Sequence, residues 1–331
     1  MITMAHGGGG KAGNELIHRE ILSRFGKGPL AELPDGATLP GNLVFSTDSF
    51  VITPRFFPGG DIGKLAVCGT ANDICMAGGW PQYLSLSMII EEGFSREELG
   101  RILDSVKKAV EQCPDLQIVT GDTKVVPRGA ADGIYLNTAG IGTRIPVERL
   151  DLGRRRIQAG DAVLVSGTVG EHGMAILAAR HGIGGPGVAS DCMFVGGQFS
   201  SAVALGGVNI KFMRDPTRGG VGGILQEIVE GMPFGIELDE SVLPFSAGAR
   251  TVANMLGIDL LFSACEGRIV MIVDPQCAEA VVDEWRKLAG SENAARIGTV
   301  NTEGGKVTLR GEYGGRRLMI QPENDQLPRI C

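Results

Sequence analysis

The sequence predicts an α/β protein of the α+β type, built as two domains of related design. Three observations carry this. The chain has 331 residues, more than one ordinary core holds. Strand-like and helix-like patterns follow each other in similar order in both halves. A polar stretch at 144–160, with Arg154-Arg155-Arg156, reads as a linker with a solvated surface. The boundaries expected are a glycine-rich segment over 1–35, a first domain over 36–150, a second over 151–320 and a tail over 321–331.

In the first domain, a short helix is expected near 13–24 and a strand over Leu43 to Val51. A helix over Asp61 to Ala77 and a strand over Gln82 to Glu91 follow. The clearest helix is Ser95 to Cys113: Ser95 caps it, Glu98 lies three residues on, and Leu99, Ile102, Leu103, Val106 and Val110 share a face. Strands at 116–120 and 133–142 close the domain.

In the second domain, a strand over Asp161 to Ser166 leads to a helix over His172 to His181. Lys211 and Phe212 end a strand before a glycine turn, and Val221 to Glu230 is helical. Strands near 235–239 and 267–274, a helix at 277–289 and strands near 296–300 and 306–313 complete it. His172 and His181, nine apart on one helix, point to opposite sides and share no metal, so both read as ordinary.

Composition narrows the function. Hydrophobic residues make up 43% and charged residues 21%, as in a soluble globular protein. The net charge of −7 and the lack of a basic run argue against nucleic-acid binding. No apolar stretch is long enough for a membrane span, and the first residues lack the pattern of a signal peptide. Seven scattered cysteines, none in a C-x-x-C pair, fit a reducing cytoplasm and give no zinc signature.

Four aspartates sit at or just after strand ends among small hydroxyl and glycine residues: Asp48, Asp73, Asp122 and Asp215. Singly, each reads as a turn or N-cap residue. Together they suit Mg²⁺ held with phosphate oxygens. His6-Gly7-Gly8-Gly9-Gly10-Lys11 offers backbone N–H groups and a positive charge to phosphate, although its spacing is not that of a P-loop and, read alone, a floppy terminus is the better account. Gly219-Gly220-Val221-Gly222-Gly223 opens a helix, as an anion site or for close packing. Lys124, after Gly121-Asp122-Thr123, suits a phosphate contact or acid/base work. Glu266, between two strands, reads as a surface turn acid or a site residue, with sequence favouring the first. The last residue, Cys331, reads as a thiol on a tether.

The segments Ala5-His6-Gly7, Phe45-Ser46-Thr47-Asp48-Ser49, Phe56-Phe57-Pro58-Gly59-Gly60, Gly63 through Asp73, Val119 through Val126, Arg214 through Val221 and Pro328-Arg329-Ile330-Cys331 span the chain. With them the chain resembles the HypE family of hydrogenase maturation factors, within the PurM-like ATP-binding superfamily. Selenophosphate synthetases, the nearest alternative, carry a reactive Cys or selenocysteine in the N-terminal glycine-rich segment; residues 5–13 hold none.

The resemblance implies an ATP- and Mg²⁺-dependent carbamoyl dehydratase acting on its own Cys331. A carbamoyltransferase, HypF, loads the sulfur with a carboxamide, and dehydration leaves a thiocyanate. The cyano group passes to iron on a HypC–HypD complex for the [NiFe] centre. It further implies a cytoplasmic homodimer whose N-terminal domains form a β-barrel-like sheet with flanking helices. The implied metal carboxylates are Asp48, Asp73, Asp122 and Asp215. Nucleotide contacts fall to Lys64, Thr70, Asn72, Asp73, Thr123, Gly219 and Gly220, with His6, Gly9, Gly10 and Lys11 closing over the phosphates. Lys124, Glu266 and Cys331 carry the chemistry.

Overall fold

The computed structural model describes residues 1–7, 11–184, 187–322 and 329–331. Gly9, Gly10 and Glu323, Asp325 and Pro328 of the tail lie outside these residues, as does the side chain of Lys11.

A helical N-terminal segment, α1 (Lys11–Leu16) to α2 (Ser23–Phe25), precedes the first domain. There β1 (Ala37–Leu39) and β2 (Leu43–Phe50) lead through the two-residue strands β3 (Phe56–Phe57) and β4 (Gly60–Asp61) to α3 (Ile62–Met76). After these come β5 (Gly79–Glu91), α4 (Arg96–Glu111), β6 (Gln117–Val126) and β7 (Ile134–Arg144). The sheet order is β1-β2-β7-β5-β6, with β5 and β6 parallel and the other pairs antiparallel. Within one chain it is an open sheet and not a barrel. Its last strand, β6, is exposed over nearly its whole length.

Helix α3 is apolar nearly all round, and such helices belong in a core. Asp61 caps it, accepting from the N–H groups of Gly63 and Lys64. Helix α4 is amphipathic: Ser95 caps it and Ile102, Val106 and Ala109 face inward, while Leu103 turns outward.

The second domain runs β8 (Ala162–Val165), α5 (Glu171–His181), α6 (Gly196–Gly206), β9 (Ile210–Arg214), α7 (Gly220–Val229) and β10 (Gly235–Asp239). It continues with α8 (Ala247–Leu256), β11 (Val270–Val273), α9 (Pro275–Trp285), β12 (Ala295–Asn301), β13 (Val307–Arg310) and β14 (Arg316–Leu318). Its sheet order is β14-β13-β10-β12-β8-β11-β9. Helices α6 and α8 and strand β14 are absent from the sequence reading. Arg156, read as part of a solvated triplet, instead ties the linker down through the carbonyls of Asp151, Val208 and Ile210.

The two domains share a core. One apolar cluster joins Phe50, Leu65 and Ala66 of the first to Met174, Ile176 and Val252 of the second, and Ile330 of the tail is part of it. Among the described residues no helix is long and apolar enough to cross a membrane.

Candidate active site

The site begins with acids that burial forces together. Asp48 lies on β2, Asp73 on α3, and Asp215 directly after β9, where it is 4% exposed. The Ser46 hydroxyl stands 2.7 Å from Asp73 Oδ2 and 2.8 Å from the Asp35 carbonyl oxygen. Arg214 spans Asp35 and Glu227 at 2.8 Å each. Burial pushes the Asp73 carboxyl well above its usual range, and the charges of Asp215, Asp35 and Asp48 push it the same way. Burial and then Asp35 push Asp215 up to about 8, against the pull of Arg214. This is a cluster of hard oxygen donors short of positive charge, which a divalent cation relieves. Among the described residues no three His, Cys, Asp or Glu side chains are grouped so as to enclose a metal unaided. Mg²⁺ fits such a set when phosphate and water complete its shell.

Glu266 is the main correction to the surface-turn reading. It is 3% exposed, and its Oε1 has no hydrogen-bond partner. Its N–H donates to Asp191 Oδ1 at 3.0 Å, which fixes the backbone. Burial raises its pKa well above the usual value, with Asp215, Asp48 and Asp191 adding and Arg218 opposing.

The tail reaches this region. A main-chain oxygen of Cys331 accepts the Val51 N–H at 3.0 Å. Arg329 donates to the Val51 carbonyl at 3.1 Å and pairs with Asp132 at 2.8 Å. His172 and Arg180 of α5 bind the carbonyls of Ile330 and Arg329. Arg218 feels the charge of Cys331 most strongly, then those of Asp48, Glu266 and Asp73, all of which raise its pKa. One guanidinium thus lies in the field of both the tail and the acids.

Gly219 and Gly220 both have left-handed backbones, with φ of 78° and 60°. A Cβ on Gly220 would stand 2.5 Å from the Ser263 carbonyl oxygen, so close packing explains that glycine. Gly219 has only the Gly223 Cα near it, at 3.5 Å, and leaves the α7 N-terminus open. Lys64 donates to the Gly59 carbonyl at 3.2 Å.

Other expected contacts are used differently. Thr70 is sealed in the core with its hydroxyl 2.5 Å from that of Thr138. Asn72 is equally buried and fastens the domains to each other. Both side chains are taken up by these protein contacts. His6 folds back on Thr3, its Nδ1 2.9 Å from the threonine hydroxyl, within the N-terminal turn.

Asp122, Thr123 and Lys124 stand apart from the cluster within one chain. Asp122 lies opposite Ser87, Ser87 opposite Asn137, and Asn137 opposite Ser49. Three strand steps therefore separate Asp122 from the neighbour of Asp48, about 14 Å. Lys124 is exposed and pairs with Asp122 at 2.7 Å, which pulls the Asp122 carboxyl below its usual range.

The descriptions "AIR synthase related protein, N-terminal domain" and "C-terminal domain" match residues 35–144 and 158–310. Carbamoyl dehydratase HypE of Escherichia coli (strain K12) is 42% identical over 339 residues, covering 100% of this chain and 99% of the relative. The chain belongs to the HypE family. A crystal structure of hydrogenase maturation protein HypE in complex with ATP matches with a TM-score of 0.83 at 39% identity, covering 100% of both chains. HypE in a crystallised HypE–HypF complex matches with a TM-score of 0.88 at 39% identity, covering 93% of this chain and 99% of that one. The PurM-like, two-domain fold expected from the sequence is the fold observed.

For this HypE-family chain, sequence reasoning missed His172, Ser190, Arg180 and Arg218. No local signal finds them, because each acts on a residue far along the chain. His172 and Ile330 are 158 positions apart.

Proposed function

We propose that the chain is an ATP-dependent carbamoyl dehydratase that converts an S-carbamoyl group on its own Cys331 to a thiocyanate. The observation that carries this is the docked tail, with Cys331 held at Val51 and its charge acting on Arg218 together with those of Asp48 and Glu266. A thiol delivered to a buried cluster of acids has little use unless it bears the reacting group.

The carboxamide oxygen takes the γ-phosphoryl group of ATP and one N–H proton leaves, giving an S-bound imidate phosphate. A base removes the second N–H proton, the C–O bond breaks, and thiocyanate, ADP and phosphate remain. Phosphorylation matters because an amide oxygen is otherwise a poor leaving group. Glu266 is suited to the proton step, since a buried carboxylate is a stronger base than a solvated one. Its unpartnered Oε1 is free to receive an N–H. Arg218 steadies negative charge near the sulfur.

Asp48, Asp73 and Asp215 would hold Mg²⁺, which offsets triphosphate charge when bound. The α7 N-terminus at Gly219 and the Lys64 ammonium would receive phosphate, and His6, Gly9, Gly10 and Lys11 would close over it.

Asp122, Thr123 and Lys124 serve this site through a homodimer. The exposed edge of β6, bearing Ile118, Val119 and Val125, supports pairing with a second copy. Such pairing carries these residues toward the neighbouring cleft. HypF as the loading partner, HypC–HypD as the acceptor and a cytoplasmic location complete the reading by family likeness, as does the [NiFe] centre as destination.

Incubating the carbamoylated protein with MgATP tests it. Mass spectrometry should show loss of one water from the peptide bearing Cys331. ATP hydrolysis without that loss, or an unaltered peptide after prolonged incubation, refutes the reading.

A further inference from the structure

His172 is fully buried on α5, and the tail reaction as described makes no use of it. Its Nε2 lies 2.6 Å from the Ile330 carbonyl oxygen and its Nδ1 2.8 Å from the Ser190 hydroxyl. Elementary bonding rules fix the protons. A carbonyl oxygen only accepts, so Nε2 carries the hydrogen. Ser190 Oγ already accepts the Cys192 N–H at 3.0 Å, which leaves its own hydrogen for Nδ1. The ring is further held by Phe57, edge-on at 5.5 Å between centroids.

Every partner of this ring except Ile330 belongs to the body of the protein. Ser190, Cys192 and Phe57 set the tautomer and the ring plane with or without the tail. The Nε2–H is therefore a pre-aimed donor lacking only an acceptor. Arg180, two helical turns further along α5, binds the next carbonyl, that of Arg329, and also the Thr53 carbonyl at 2.5 Å. Together they read two successive carbonyls. Arg329 has a left-handed backbone, with φ of 55°. The pair thus recognises a local backbone shape and not side chains alone.

We propose that His172 is a positioning residue for the tail reaction: its Nε2–H, aimed by Ser190 and Phe57, holds the Ile330 carbonyl and so places Cys331 at the acids. This rests on the reading that Cys331 carries the reacting group, but the docking it describes is measurable without any reaction. Burial drives the ring pKa down to about 4, with Arg180 adding and the Ile330 bond opposing. The neutral form required by the bonding is thus the form present near neutral pH.

The test uses the full chain and two readouts. The first is the rate at which iodoacetamide alkylates Cys331, with the partly exposed Cys277 as internal reference. The second is the single-turnover rate of water loss from carbamoylated protein with MgATP. His172→Ala should raise Cys331 alkylation about tenfold relative to Cys277, as expected for a lost buried hydrogen bond. It should slow water loss to a similar degree while leaving ATP affinity unchanged. His172→Gln, which keeps an N–H near the Nε2 position, should recover much of both. Ser190→Ala should shift both the same way by a smaller factor, and it keeps the test alive if His172→Ala does not fold. Unchanged Cys331 alkylation in both His172→Ala and Ser190→Ala overturns the proposal. So does faster alkylation that His172→Gln fails to reverse. If wild-type protein loses no water, the dehydratase reading fails, while the alkylation rates still decide the role of His172.

Discussion

Asn72 of α3 receives the Val195 N–H on its Oδ1 at 3.0 Å, while its Nδ2 donates to the Met193 carbonyl at 3.0 Å. A single amide thus spans the two domains with both its ends satisfied. A weaker bond to the Glu266 carbonyl, at 3.4 Å, ties the same side chain to the backbone of the buried acid.

Removing this fastener should loosen the domains. Asn72→Ala leaves a buried N–H and a buried carbonyl unpaired, at a cost of about 2–4 kcal/mol. Differential scanning calorimetry should show a lower Tm. Asn72→Leu should be no better, since the orphaned backbone groups remain. A Tm within error of wild type in both variants would deny Asn72 this role.

Glu266→Gln should separate stability from chemistry. The substitution replaces a buried acid, whose charged form burial disfavours, with a neutral amide of the same shape, so the Tm should hold or rise. Water loss from the carbamoylated tail should fall by about 10²–10⁴-fold, the usual worth of a positioned base. Retained turnover with an unchanged Tm would assign the proton step to another group.

Lys124 and Glu266 should complement each other across a dimer. Lys124→Ala and Glu266→Gln are each expected to be inactive alone. Mixed after subunit exchange, half the dimers are hybrid with one intact site each, so about a quarter of wild-type activity should return. Activity that stays at the level of the separate variants would place both residues in one subunit's site or show that subunits do not exchange. Size-exclusion chromatography with labelled chains tells these apart.

Acid should weaken the fold through His172. The ring has a folded pKa of about 4 against 6.5 when unfolded. Between these values the unfolded chain binds the extra proton, so stability rises with pH across this window. The contribution is fully present above pH 6.5 and is lost as pH falls toward 4, by about 3 kcal/mol in total. Urea melts at pH 7, 6, 5 and 4 should show this slope, and His172→Gln should flatten it. An equal slope in the variant would assign the acid sensitivity to other groups.

What could be read from the sequence was local. Ser95 caps α4, and Ile102 and Val106 face the core, because capping and periodicity act within a few residues. Helix α6 escaped because Gly196–Gly206 is built of small and apolar residues with no charged face to mark its period. The acids Asp48, Asp73 and Asp215 stood out by their small polar neighbours, and the fold brings them together. Their companion Asp122 shares the same local style yet lies three strands away, because sheet order is not written locally. Glu266 and His172 read as ordinary for a related reason. Whether a turn acid is buried, or a helical histidine has a partner, depends on chain that arrives from far along the sequence.

Ile330 is 4% exposed and belongs to the apolar cluster that both domains share. Drawing the tail out, as the proposed loading requires, would uncover a hydrophobic socket, at a cost of about 2 kcal/mol for that side chain alone. Under the proposed function, each loading event would be a small reversible unfolding, and the protein receiving the tail would compete with this chain's own core for an isoleucine. Affinity for that partner and stability of the closed state are then set by one equilibrium, so a substitution that strengthens either should weaken the other.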